Sequence, residues 1–272
     1  MSQAEKAIRF RELHRAPGAF VIANAWDAGS ARILAGAGFV ALATSSGAAA
    51  AVLGRCDGMI TREESLANAR VVVEATELPV SADLEKGFGD APEDTSLTIR
   101  LAGESGVVGG SIEDATGDPR KPLFDLSHAQ ERIAAAAEAA RRLPFPFTLT
   151  ARAENFIRGN PDLDETIRRL RAFEAAGADV LMAPGLPDLA AVRNVCAALS
   201  KPFNFMAGIK GKSFSVAQLA EAGVKRISLA SSLYRAAVTA LLKAAREIHD
   251  NGTLSYIDST TATPELNHFM RR

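Results

Sequence analysis

SADLEKGFGDAPEDTSLTIRLAGESGVVGGSIEDATG, residues 81–117, is the stretch from which the rest of the chain is read. It opens on an apolar run that ends in the acids Asp83 and Glu85 beside a pair of glycines. A stretch of helical length follows, then AGESGV (102–107), then a second apolar run ending in Glu113 and Asp114. A glycine at the end of a helix can take positive φ, so AGESGV reads as a helix stop followed at once by a strand. The segment is therefore one strand–helix–strand unit, and both strands finish in carboxylates.

The same unit recurs. Short apolar runs alternate with helical stretches eight times: FVIANAWD (20–27), FVALATSS (39–46), PVSADLE (79–85), VVGGSIED (107–114), FTLTARAE (147–154), VLMAPG (180–185), PFNFMAG (202–208) and RISLASS (226–232). Continuous apolar character, rather than strict alternation, is what strands covered on both faces require. The helix stop recurs as well, in LAGAGF (34–39), EAAGAD (174–179) and AEAGVK (220–225). Eight units of ~25–40 residues match an α/β fold of the (β/α)8 TIM-barrel type. A doubly wound open sheet is the competing architecture, but the first turn, NAWDAGSAR, has no GxGxxG fingerprint. The expected organisation is a single barrel domain over 1–272, with a barrel core at about 18–249 and an additional C-terminal helical arm at about 250–272.

With 272 residues, 47% hydrophobic and 23% charged, the chain can fill a sizeable core. Its net charge of −1 and scattered basic residues argue against nucleic acid and anionic membrane as partners. Two cysteines, Cys56 and Cys196, cannot form a disulfide framework or a zinc cluster. The charged N-terminus is no signal peptide and no apolar run approaches a membrane span, so a cytoplasmic location is expected.

In such barrels the carboxyl ends of the strands carry function. Those ends hold Asn24, Trp26 and Asp27; Ser45, Ser46 and Gly47; Asp83 and Glu85; Glu113 and Asp114; Arg152, Glu154 and Asn155; Asn204; and Ser231. A single strand-end acid is commonly a helix cap or a solvated loop residue. Acids ending adjacent strands on the functional face point instead to a shared oxygen-ligand site. The four histidines (His14, His128, His249, His268) all lie in helices or the tail and read as surface or packing residues. Without imidazole or thiolate, the ligand set suits Mg2+ or Mn2+, acting as a Lewis acid on a substrate oxygen. Arg152 could pair with a substrate carboxylate through parallel hydrogen bonds, or bridge the neighbouring acids. AGIKGKS (207–213) is not a phosphate loop, because its first glycine would fall at Met206; Lys210 and Lys212 read either as anion contacts or as solvated loop charges. Lys86 reads either as a site residue or as a flexible loop charge. No strand run carries the inward lysine that a Schiff-base aldolase needs.

NAWDAGSA (24–31), TSSG (44–47), Asp57, ADLEKGFG (82–89), SIEDATG (111–117) and TARAENF (150–156) together resemble the isocitrate lyase/phosphoenolpyruvate mutase superfamily. The resemblance runs in order from about residue 20 to about residue 235. It implies a (β/α)8 barrel whose last helix is exchanged between subunits in homodimers or homotetramers. It also implies Mg2+ and a small α-oxo-acid substrate handled through an enolate-like state. Carried over, Asp83 would be the direct metal ligand, with Asp57, Glu85 and Glu113 holding the ion's waters. Ser45 or Ser46 with Gly47 and the backbone near Trp26 would bind the substrate's carboxylate and oxo group, and Arg152 and Asn204 its distal part.

The departures narrow the reaction. Lyases of the family carry a KKCGH- or KRCGH-type loop after strand four, where this chain has EDATGDPRKPLFD (113–125) and no cysteine. They also end strand six in a glutamate, where this chain has MAPG (182–185), and the mutase-type asparagine loop is missing. EDATG and PFNFMAG are more similar to a branch that binds small α-oxo acids, near the oxaloacetate decarboxylases. The expectation is a Mg-dependent lyase acting on a small α-oxo or 2-hydroxy carboxylate, by oxaloacetate-type decarboxylation or C–C cleavage. Arg152, Glu113 and Lys86 are its candidate catalytic residues, with Asp118 and Glu154 as further bases. A carbon–phosphorus hydrolase or mutase, and a non-catalytic α-oxo-acid-binding protein, are the alternatives.

Overall fold

Strands β1 (Phe20–Asn24), β2 (Leu42–Ala43), β3 (Val80–Asp83), β4 (Gly109–Glu113), β5 (Thr148–Arg152), β6 (Val180–Met182), β7 (Phe203–Met206) and β8 (Arg226–Ser228) close into a barrel in chain order. Every neighbouring pair is parallel, including β8 back onto β1. The architecture comes from a computed structural model that describes residues 1–271.

Helices α2 (Ala28–Gly36), α4 (Arg62–Glu74), α5 (Pro92–Glu104), α6 (Leu126–Arg141), α7 (Leu163–Ala175), α8 (Leu189–Ala198) and α9 (Val216–Glu221) cover the outside. They bury Val72, Ile99, Ile133, Leu170, Phe173 and Val192 against strand residues such as Leu42, Leu149 and Leu181. The repeated helix stops are what the sequence reading expected. Gly38, Gly106, Gly177 and Gly223 have φ of 93°, 95°, 107° and 94°, a region costly for any residue with a Cβ.

Two features differ from the sequence reading, and a third bears on assembly. The run FVALATSS yields a strand of only two residues, because Ser45 leaves it to cap α3 (Ser46–Val52), its hydroxyl accepting from the Ala48 N–H. The N-terminal segment, read only as no signal peptide, forms α1 (Gln3–Arg15) and plugs the bottom of the barrel. Its Ala7 and Phe10 are fully buried against Ile22, Ala41, Ala43 and Val108; burying a phenylalanine contributes about 2–3 kcal/mol. The eighth barrel helix, α10 (Ser232–Arg246), buries none of its residues and leaves Leu241 and Leu242 exposed.

The C-terminal arm is helical, as expected. Its α11 (Thr263–Met270) returns to α2, where the Phe269 ring occupies the space a Cβ on Gly36 would need. Arg32 donates to the Met270 carbonyl at 2.7 Å; Arg272, the last residue of the predicted arm, lies outside the described residues. Among the described residues no helix is long and apolar enough to cross a membrane.

Candidate active site

Register brings the strand-end acids together. Asp83 pairs with Ser111 across β3–β4, and Glu113 pairs with Arg152 across β4–β5. Their side chains line a cavity of about 850 Å³ at the carboxyl end of the barrel, together with Ser45, Ser46, Gly47, Asp57, Glu85, Lys86 and Asn204. Asp83 is held from both sides. Its Oδ2 accepts from the Ser46 N–H at 3.2 Å and the Ser46 hydroxyl at 3.1 Å, and its own N–H donates to Thr44 Oγ1 at 2.9 Å. The early turn after β2 is thus what aims this carboxylate, since Ser46 opens α3.

Arg152 stands at the centre of the acids. It lies 3.2 Å from Asp83, 3.1 Å from Glu113 and 2.8 Å from Glu154. Burial works against its charge, but Glu154, Glu113 and Asp83 outweigh that and raise its pKa. The bridging arrangement considered for this arginine is the one present. Arg158, on the short helical turn after β5, adds a second cation over Glu113 and Glu154 at 3.5 and 3.4 Å. Glu113 nevertheless has its pKa raised, by burial first and then by Glu154.

Glu85 follows β3 in left-handed backbone, with φ of 49°. Its Oε1 is buried without a hydrogen-bond partner. Burial, then the charges of Asp83 and Asp57, push its pKa up to about 7. Asp57 arrives from the loop after α3 and packs over Gly47, where an added Cβ would lie 3.1 Å from the carboxylate. It also accepts from the Ser46 hydroxyl at 3.3 Å.

Five carboxylates, those of Asp57, Asp83, Glu85, Glu113 and Glu154, therefore face one space. Among the described residues no three His, Cys, Asp or Glu side chains already converge as a ready cage. A hydrated Mg2+ does not need one, because it keeps several waters and takes only one or two carboxylates directly. The oxygen-only donors and the unpartnered Glu85 oxygen fit such an ion.

Other expected residues fall differently. Trp26 is not among the cavity-lining residues: its N–H donates to the Ser30 hydroxyl, its carbonyl accepts from Asn68, and its ring packs edge-on to Tyr234. Asn204 lies fully buried at the floor, its amide donating to Ser228 and accepting from Arg226. Lys86 borders the cavity but pairs with Asp90 at 2.5 Å and donates to the Thr116 carbonyl at 2.6 Å, tying two loops together. Lys212 donates to the Gly185 carbonyl, and Lys210 is exposed. Asp118 is paired with Arg120 at 3.0 Å. Asp114 is structural: it accepts from the Glu154 N–H and pairs with Arg169. Among the histidines His14 is buried and the other three are not. Residues that sequence reasoning missed are Thr44, Ser111, Arg158 and Arg226; only Arg226, a charge heading an apolar run, carried a local signal.

The chain matches the phosphoenolpyruvate phosphomutase family over residues 10–249. It is 31% identical over 253 residues to an oxaloacetate decarboxylase of Ectopseudomonas mendocina (strain ymp), covering 90% of this chain and 85% of that protein. It is 30% identical over 261 residues to a 2-methylisocitrate lyase of Halalkalibacterium halodurans, covering 93% of this chain and 85% of that one. A crystal structure from Burkholderia cenocepacia J2315, described only provisionally as a lyase/mutase, superposes with a TM-score of 0.97 at 50% identity, covering 99% of this chain and 97% of the other.

Proposed function

Since the chain belongs to the phosphoenolpyruvate phosphomutase family, within the isocitrate lyase/phosphoenolpyruvate mutase superfamily, we propose that it is a Mg-dependent lyase that removes CO2 from oxaloacetate or a close α-oxo di-acid. The observation that carries this reading is the acid wall itself. Asp83 is aimed by Ser46 and Thr44, and Asp57, Glu85 and Glu113 surround it with one buried oxygen left unpartnered. Asp83 would hold the ion directly and the other three its waters; Mn2+ suits the same donors. Bound there, the cation supplies Lewis-acid stabilisation of the charge that develops on the substrate's oxo oxygen.

The chain's own residues bind and orient. Ser45, Ser46 and Gly47 bring small polar groups and backbone to the cavity wall beside Asp83, where they suit the substrate's oxo-carboxylate end. Arg152, spanning Asp83 and Glu113, keeps the acids from splaying and offers positive charge to a carboxylate. In decarboxylation the departing C–C pair becomes the enolate of pyruvate, which takes its proton afterwards, so no protein base is needed to begin. This suits a cavity with no cysteine in its lining. A retro-aldol C–C lyase is the second reading, favoured by Lys86 at the cavity edge, with Glu113 as its buried acid. The exposed α10 face, with the family resemblance, supports a helix-exchanged homodimer or homotetramer; light scattering of the intact protein and of Leu241→Glu tests it.

The experiment is to supply oxaloacetate with Mg2+ and follow pyruvate, with Asp83→Ala in parallel. Turnover that collapses in the variant and after chelation is expected. Turnover that is nil, or that Asp83→Ala leaves untouched, refutes the decarboxylase.

A further inference from the structure

Two arginines project into the barrel, and their surroundings are opposite. Arg152 meets three carboxylates. Arg226, at the start of β8, is 4% exposed and meets none. Its Nε donates to Asn204 Oδ1 at 2.7 Å, one terminal nitrogen donates to Thr150 Oγ1 at 2.8 Å, and the other faces His14 Nε2 at 3.3 Å. His14 Nδ1 lies 2.8 Å from the Phe10 carbonyl. That contact places the imidazole proton on Nδ1 and leaves Nε2 as an acceptor. Burial first, then Arg226 itself, hold the His14 pKa down at about 3, so the ring stays neutral. All three partners of the guanidinium are therefore uncharged.

A guanidinium has five N–H donors, and these three contacts leave two without an acceptor. Among the described residues Arg226 makes no ion pair, while its side chain borders the floor of the active cavity with Asn204 and Ser228. Holding a charge out of water with no counter-ion is costly, and burial alone lowers its pKa to about 9. A neutral side chain of similar size would pack there without that cost. An anion entering the cavity would supply the missing partner.

Register sets Arg226 and its partners apart from the acid wall. Arg226 reaches Thr150, which pairs with Ser111, which pairs with Asp83. Two strand spacings, roughly 10 Å, separate Asp83 from Thr150 along this row. Oxalate spends both carboxylates at its chelating end, whereas a longer di-acid keeps one free to reach the guanidinium.

We propose that Arg226 receives the second carboxylate of a dianionic substrate and thereby selects di-acids over mono-acids. The assignment rests on the α-oxo-acid reading above and names the substrate class for it. Asn204 and Thr150 then serve to hold the guanidinium in place.

Equilibrium binding by calorimetry in Mg2+ tests this with three stable probes: malate, 2-hydroxybutanoate (the same chain with a methyl in place of the second carboxylate) and oxalate. The wild type should bind malate at least about 30-fold more tightly than 2-hydroxybutanoate. Arg226→Gln should bring that ratio below about 3-fold with oxalate affinity held within about 3-fold, while Arg226→Lys keeps a ratio above about 10-fold. A wild-type ratio near one, or a ratio that survives in Arg226→Gln, overturns the assignment even if oxalate binds. If the glutamine variant does not fold, the wild-type ratio and the lysine variant decide. If none of the probes binds the wild type, the α-oxo-acid reading falls and the assignment falls with it.

Discussion

Replacing Glu85 by glutamine should make the metal-free protein more stable at alkaline pH. The Glu85 carboxyl is driven up from 4.5 to about 7, first by burial and then by Asp83 and Asp57. A group whose folded pKa is raised contributes stability that is complete below its unfolded value and is lost as pH rises through its folded value. The window of loss therefore runs from about 4.5 to about 7. At ~1.36 kcal/mol per unit the interval sets a ceiling of about 3 kcal/mol, which partial solvent exposure lowers to ~2 kcal/mol. Glutamine keeps the shape and removes the charge. In EDTA at pH 8, Glu85→Gln should gain ~2 kcal/mol in urea unfolding, and at pH 4.5 the gain should vanish. Adding Mg2+ should reverse the order, because the wild type gains binding energy that the variant cannot match. A variant less stable than wild type at pH 8, or a gain independent of pH, would refute the claim that this carboxylate is an unmatched buried charge.

Three further outcomes follow from the same geometry. Gly47→Ala places a Cβ 3.1 Å from Asp57 and should weaken Mg2+ binding about 10-fold by calorimetry, with the urea midpoint nearly unchanged. Arg152→Met removes the cation shared by Asp83, Glu113 and Glu154 and should cost on the order of 3–5 kcal/mol at pH 8, less at pH 5, where Glu113, its pKa raised by burial, holds a proton; paired urea melts measure both. Gly106→Ala combines φ of 95° with a Cβ 2.8 Å from Val73 and should lose ~2–3 kcal/mol, against ~1 kcal/mol for Gly117→Ala, which has no neighbour within 4 Å.

The barrel could be read in the sequence because its signals are local and repeated. Four helix-ending glycines and eight apolar runs need no knowledge of distant contacts. Strand limits were harder: in FVALATSS a serine hydroxyl competes for a backbone N–H and turns the chain into α3. The α1 plug escaped notice because charges dominate QAEKAIRFRELHR, although Ala7, Phe10 and His14 share one helical face. Within the site, Asp83, Glu85 and Glu113 could be found because each follows an apolar run. Arg158 and Thr44 could not, since their value lies in reaching residues of other strands. Arg226 heads an apolar run, a local signal, and its register with Phe20 and Asn204 turns it into the barrel.

The charges left unmatched define what the cavity is shaped to receive. In the upper wall the surplus is negative: Arg152 and Arg158 are shared among Asp83, Glu113 and Glu154, and Glu85 keeps a buried oxygen with no partner. At the floor the surplus is positive, one guanidinium among neutral acceptors. Each surplus costs stability in the ligand-free protein, and neither can neutralise the other, because the Asn204, Thr150 and His14 contacts anchor Arg226 below the acids. The complement of such a cavity is a ligand with a cation at one end and a carboxylate at the other. A metal-chelated α-oxo di-acid has that pattern, whereas a bare mono-acid would leave the lower charge unpaired. On the proposed reading, the residues that would hold the metal and the residue that would choose the substrate are separable, so a change of substrate need not disturb the acid wall.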